Sequence, residues 1–295
     1  MKGFFSQCHP AINLLYFTVV IGSTLCFTHP VYTLICFLCA FWYSIKLNGW
    51  RSVIFNILLI PVILLFALYY SSYTHFGVTV LQTNLIGNAL TLESFLFGLS
   101  IGARVAGVCI WFSCVHAIFT TDKIVYLFGA VSPLLSLFLA ILLRLIPRIK
   151  KQAKQIHTAH KGIGRGIFQG NLWQRIRNCV RILSVLITWT IEAILTLSDA
   201  MRSRGSSLRG RTAFSIYRFD YRDRMVLIGL FSCISITLIA VLLQQTTMQY
   251  APRLVYPIDT TVSRLFYCGF SVLCLLPIGL EYWTQYCFWK GRDTL

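Results

Sequence analysis

Apolar stretches close to the length that crosses a bilayer recur along this chain, and they restrict it to few folds. Six of them lie at about 11–27, 31–45, 52–70, 94–119, 225–243 and 264–282. A transmembrane helix takes about 17–25 residues. The second stretch is shorter, but Pro30 precedes it and Lys46 and Arg51 follow it. In hydrocarbon the backbone must bond to itself, which a helix achieves within one segment. Composition agrees: 57% of residues are hydrophobic and 12% charged, against about a quarter charged in soluble domains. The expected fold is all-α, a polytopic integral membrane protein with about six transmembrane helices and additional long helices on the cytoplasmic side. Residues 1–10 hold a single lysine, and the run from Ala11 reads as a retained first span, not a cleaved signal.

The net charge of +17 raises the question of nucleic acid, and its distribution answers it. Between Arg144 and Arg224 lie 17 of the 26 basic residues, with only four acids, Glu192, Asp199, Asp220 and Asp223. A basic block beside membrane spans marks the cytoplasmic side and touches lipid headgroups. No nucleic-acid partner is expected. With the N-terminus inside, Lys46 and Arg51 fall inside after two spans. The 71–93 loop, without Lys or Arg, falls outside. The 144–224 block and then Lys290 and Arg292 fall inside. Both termini are thus expected in the cytoplasm of a multi-pass cell-membrane protein.

Two further apolar stretches, 124–143 and 180–197, break this order if either spans alone, because basic residues would then lie on both sides. They are expected at the cytoplasmic interface. Three regions follow: N-terminal transmembrane helices at 1–123, a cytoplasmic-side region at 124–224, and C-terminal transmembrane helices at 225–295. In the middle region an apolar helix is expected from Ile124 to Pro147, which kinks or ends it. A basic helix follows, broken by Gly162, Gly164, Gly166 and Gly170. A long helix then starts at Asn171, a good N-cap, and ends at Gly205.

Enzyme signatures are missing. The chain has no P-loop, GxSxG, HExxH or acidic metal-binding cluster, and its nine acids are scattered. The 11 cysteines fall mostly in apolar runs, where the thiol acts as a small hydrophobe. No cofactor, metal or catalytic residue is expected. The sharpest site is Ser203-Arg204-Gly205. Here a long helix stops at a small residue, an arginine and a glycine suited to the left-handed cap position. Such an arginine offers a cation to an acidic groove, or simply complements the helix dipole for about 0.3–1 kcal/mol. Gly164-Arg165-Gly166 is a second, weaker presentation. Arg104 lies inside the fourth span, where a cation is costly, and Glu93 is a possible partner. Glu192, in the apolar half of the long helix, is expected to pair with a basic residue.

These elements together resemble the transmembrane coupling, or T, component of energy-coupling factor (ECF) importers, the EcfT/CbiQ-like family. The resemblance rests on His9-Pro10 and His29-Pro30 before the first two spans, Arg104, Leu145-Ile146-Pro147, and Gly170 to Arg175. Residues 200–211 carry it most strongly, with Ser203-Arg204-Gly205 standing as the second arginine signature. The first signature departs: Ile163 stands where an arginine is expected, and Arg165 lies one place past the glycine. The resemblance implies a non-catalytic subunit with coupling helices on the cytoplasmic side. It implies two ATP-binding-cassette ATPase subunits that receive the helix tips. It also implies a small membrane S component that binds a vitamin or other micronutrient and reorients on ATP hydrolysis. The residues alone also admit a self-sufficient secondary transporter or channel.

Overall fold

The computed structural model describes the chain except for residues 1–3, 75, 84–88, 206–216, 218, 251–253, 255–259 and 293–295. The elements are α1 (Phe4–Gln7), α2 (Pro10–Cys26), α3 (Pro30–Asn48), α4 (Trp50–Tyr73), β1 (Val80–Thr83), β2 (Ala89–Thr91), α5 (Leu92–Ile118), α6 (Thr121–Val131), α7 (Pro133–Gly162), α8 (Leu172–Ser203), α9 (Tyr221–Leu242) and α10 (Thr261–Arg292). This is the all-α polytopic architecture expected, with one small antiparallel β1–β2 hairpin added. Among the described residues, six helices are long and apolar enough to cross a membrane: α3, α4, α5, α8, α9 and α10. The set differs from expectation at two places. It includes α8, and α2, apolar but only 17 residues long, falls short of it.

Two compact units divide the chain. The first comprises residues 1–120 and 217–295, the second residues 121–216. In the first unit, α2 and α3 begin with the same device. His9 and His29 are N-caps whose Nδ1 accepts a hydrogen bond from the N–H of Ala11 and of Val31, each at 3.3 Å. A proline follows each histidine at the first helical position, where its missing N–H is no loss. Trp111 of α5 is fully buried against Tyr16, Phe17 and Tyr43, with ring centroids 6.0–6.1 Å apart. Its indole N–H donates to Cys36 Sγ at 3.1 Å, and the Tyr16 hydroxyl donates to the Cys274 carbonyl at 3.0 Å. These contacts tie α2, α3, α5 and α10 together without leaving either polar tip unbonded. Lys46 of α3 adds an ion pair with Glu281 of α10, 3.1 Å apart, and lies 3.8 Å over the Tyr282 ring.

The tightest pairing in this unit is α4 against α5. Ser94, Gly98, Gly102 and Ala106 recur every fourth residue, and all four are buried. A Cβ added at Gly98 would lie 3.1 Å from the Ala67 backbone, and one at Gly102 would lie 3.2 Å from Ile63 Cγ2. Small residues at this spacing let helix backbones approach, a main source of attraction where lipid removes the hydrophobic drive.

The second unit holds α6, α7 and α8. The expected helix from Ile124 to Pro147 is replaced by two. The chain breaks at Ser132, the N-cap of α7, because Pro133 takes the first helical position. The Ser136 hydroxyl then bonds back to the Val125 carbonyl at 3.2 Å. Pro147 does not end its helix: α7 continues through it to Gly162. The missing N–H forfeits one intrahelical bond, and the turns on either side continue the helix.

Candidate functional site

α8 starts where the sequence places it. The Asn171 side chain and Gln174 form a reciprocal capping box, with Gln174 Oε1 accepting from the Asn171 N–H at 3.1 Å. Both α7 and α8 end on a glycine in the left-handed region, Gly164 at φ 76° and Gly205 at φ 73°. The residue before each glycine is the C-cap. Ile163 sits at φ −89°, ψ 6°, and Arg204 at φ −84°, ψ 9°. The bonding repeats as well. The N–H groups of Ile163 and Gly164 both point to the Lys161 carbonyl, and those of Arg204 and Gly205 both point to the Arg202 carbonyl. The two tips are thus one backbone motif used twice.

Superposing the motifs residue by residue pairs Ile163 with Arg204 and Gly164 with Gly205. Arg165 comes one place later, and its N–H donates to the His160 carbonyl at 2.9 Å. Ser203, Arg204 and Arg165 are exposed, and Gly166 is buried. The Ser203 hydroxyl is turned back to the Ala200 carbonyl at 3.0 Å, and the exposed guanidinium of Arg204 stands at the C-cap, with exposed Arg202 in the last turn before it. Residues 206–211, the rest of the stretch that carries the resemblance, lie outside the described residues.

Exposure of apolar side chains around the first tip had no counterpart in the sequence reading. Ile163 is 73% exposed, Phe168 79% and Trp173 83%. The loop that carries them is well bonded. Gln169 Oε1 accepts from the Gly166 N–H at 2.8 Å, Asn178 Nδ2 donates to the Gly166 carbonyl at 3.3 Å, and Arg175 Nε donates to the Gly170 carbonyl at 3.0 Å. Because the loop is fastened to the start of α8, the two tips belong to opposite ends of that helix. Thirty-two residues at about 1.5 Å each separate them by roughly 48 Å. Along α8, Val180, Leu183, Ile187, Ile191 and Ile194 are all exposed. Their three- and four-residue spacing places them on one face.

The intramembrane residues settle differently from expectation. Arg104 is half-buried and its Nε donates to the Ser100 carbonyl of its own helix at 3.3 Å. Glu93 does not pair with it. The Glu93 carboxylate accepts from the Thr79 N–H at 3.3 Å and folds over Gly77, which has no side chain to obstruct it. The two stand about three helical turns apart on α5, and each bonds close to its own place in the chain, Arg104 to Ser100 and Glu93 to Thr79. Glu192 is exposed and forms no ion pair among the described residues.

The sequence adds matches to known proteins over part of its length. Over 94 residues the chain is 31% identical to the energy-coupling factor transporter transmembrane protein EcfT of Bacillus selenitireducens, covering 32% of this chain and 35% of that protein. Over that segment the chain is similar to an EcfT protein. A second relative, EcfT 1 of Listeria monocytogenes serotype 1/2a, is 28% identical over 127 residues, 41% of this chain and 46% of that one. The matched segment thus spans between a third and a half of the length of these EcfT proteins. No family model matches the chain.

Proposed function

We propose that this chain is the transmembrane coupling subunit of an ECF-type importer. In this reading it is a non-catalytic member of an ATP-driven transporter. Two cytosolic ATP-binding-cassette subunits grip the tips of α7 and α8, and a membrane S component lies along the exposed apolar stripe of α8. ATP hydrolysis by the partners is relayed through the tips to reorient the S component, which carries a vitamin or other micronutrient. The observation that carries the reading is the exposed Arg204–Gly205 cap closing a 32-residue helix, in a chain similar to EcfT proteins. Arginine suits that post: its planar fork meets a carboxylate with two parallel hydrogen bonds.

Charge supports a cytoplasmic, non-spanning α8. Arg175, Arg177 and Arg181 stand near its start and Arg202 and Arg204 at its end, so a span would put basic residues on both sides. A self-sufficient transporter or channel fits less well. The cavity of about 490 Å³ among α3, α4 and α5 is lined almost wholly by apolar side chains, such as Leu34, Phe37, Ile63 and Leu99, and Arg104 is bonded within its own helix.

The test is co-purification of the ATPase subunits with tagged chain, together with substrate uptake in cells, at matched membrane expression. Arg204→Glu places like charges at a desolvated contact and should abolish assembly or uncouple hydrolysis from uptake. Normal assembly and uptake with that variant would remove the proposal.

A further inference from the structure

The repeated cap motif makes the two tips comparable atom for atom, and they carry opposite chemistry. At the C-cap the second tip presents a guanidinium. The first presents a sec-butyl group, Ile163, at 73% exposure. Their backbone angles agree to within about five degrees in φ and three in ψ, so the two side chains leave the backbone along the same direction relative to their helices. Arg165 cannot take the place of the cation by a small adjustment. It lies beyond the left-handed glycine, in register with Ser206, and its N–H is held by the His160 carbonyl.

We infer that the first tip enters its partner through Ile163, and that the two ATPase subunits therefore present unlike slots, one acidic for Arg204 and one apolar for Ile163. This rests on the proposed function. Three features favour an apolar slot. Burying a side chain of this size contributes as much to binding as a charge-assisted hydrogen bond does. Phe168 and Trp173, both more exposed than Ile163, lie in the same loop and the first turn of α8 and extend the apolar surface. The bonds from Gln169, Asn178 and Arg175 fix that loop before any partner arrives, so little ordering entropy is lost on docking. A carboxylate facing Ile163 would instead lose its hydration with nothing in return. The tips thus distinguish the two subunits and set which one binds at which end of α8.

The experiment uses the full chain with the ATP-binding-cassette subunits that co-purify with it. Ile163→Asp should lower recovery of one ATPase subunit by about tenfold or more, the equivalent of one lost anchor. Ile163→Leu and Arg165→Gln should hold recovery within about twofold. Ile163→Arg, which makes the tips alike, should also lose that subunit. Ile163 is exposed, so each variant should keep the wild-type elution volume and melting temperature. Full recovery with Ile163→Asp, loss with Arg165→Gln, or gain with Ile163→Arg each overturns the inference. Arg204→Glu run alongside separates the two levels. If it breaks assembly while Ile163→Asp does not, the inference alone fails. If neither variant matters, the proposed function fails with it. A membrane-seated tip is the remaining outcome: a fluorophore on Ile163→Cys, in proteoliposomes, that spin-labelled lipid quenches equally with and without the ATPases overturns the docking role.

Discussion

Replacing Gly98 by alanine isolates the close approach of α4 and α5. In an open helix position Gly→Ala stabilises by about 0.8–1.0 kcal/mol, through backbone entropy alone. Gly229 in α9 is such a position, since an added methyl there would meet nothing within 4 Å. At Gly98 the same methyl would stand 3.1 Å from Ala67 Cα, Ala67 O and Tyr70 Cβ, inside the optimum of about 3.5–4.0 Å for carbon contacts. Two of those three atoms are backbone, so a rotamer change cannot relieve them, and the helices must part by about half an ångström to restore that optimum. Overpacking of this kind costs about 1–3 kcal/mol. The entropy gain is common to both sites and cancels between them. Gly98→Ala should therefore melt below Gly229→Ala by an amount set by that cost of about 1–3 kcal/mol, at about 2–4 °C per kcal/mol. The assay is thermal unfolding of detergent-purified chain with a thiol- or tryptophan-based readout. Equal melting temperatures, or a higher one for Gly98→Ala, would refute the claim that a glycine stripe sets this contact.

Arg204→Lys should assemble with the ATPases more weakly than wild type but better than Arg204→Glu, since lysine keeps the charge and loses the fork; pull-down recovery orders the three. Asn171→Ala removes the capping box and should destabilise the start of α8 by about 0.5–2 kcal/mol, seen as faster amide exchange at residues 172–176 with little change at Arg202. Glu281→Gln leaves the half-buried Lys46 without its counter-ion, so it should lower the melting temperature more than the double variant with Lys46→Met does. The purified chain should turn over no ATP by itself, because it lacks a phosphate-cradling glycine loop followed by Lys and Ser/Thr; turnover in a sample free of other ATPases contradicts the assigned role.

Much of the architecture is legible because hydrocarbon leaves the backbone few options, so long apolar runs translate directly into helices. Asn171 and the tip glycines are legible for a related reason: each solves a local bonding problem that depends on neighbours within four residues. Other features depend on what lies opposite. Ser94, Gly98, Gly102 and Ala106 are spaced regularly in the sequence, yet only Ala67 and Ile63 across the interface give the spacing its meaning. Glu93 was the partner offered to Arg104 in sequence terms, but a carbonyl one turn away needed no movement of the chain to reach. The break at Ser132 was hidden by apolar residues on both sides, although Pro133 marks it. At the candidate site, counting residues places Ile163 against the arginine position, but matching backbone angles make that a physical equivalence.

A helix can tilt or bend far more easily than it can change length, because shortening or stretching it breaks its hydrogen-bond ladder. With one tip at each end, α8 behaves as a ruler whose length is set by its residue count. Two partners holding those ends meet a fixed span: they can slide apart or together only if the ruler turns to follow them. In the proposed assembly the quantity handed to the membrane is therefore an angle. Inserting a full turn of helix in α8 would lengthen the ruler without altering either tip's chemistry.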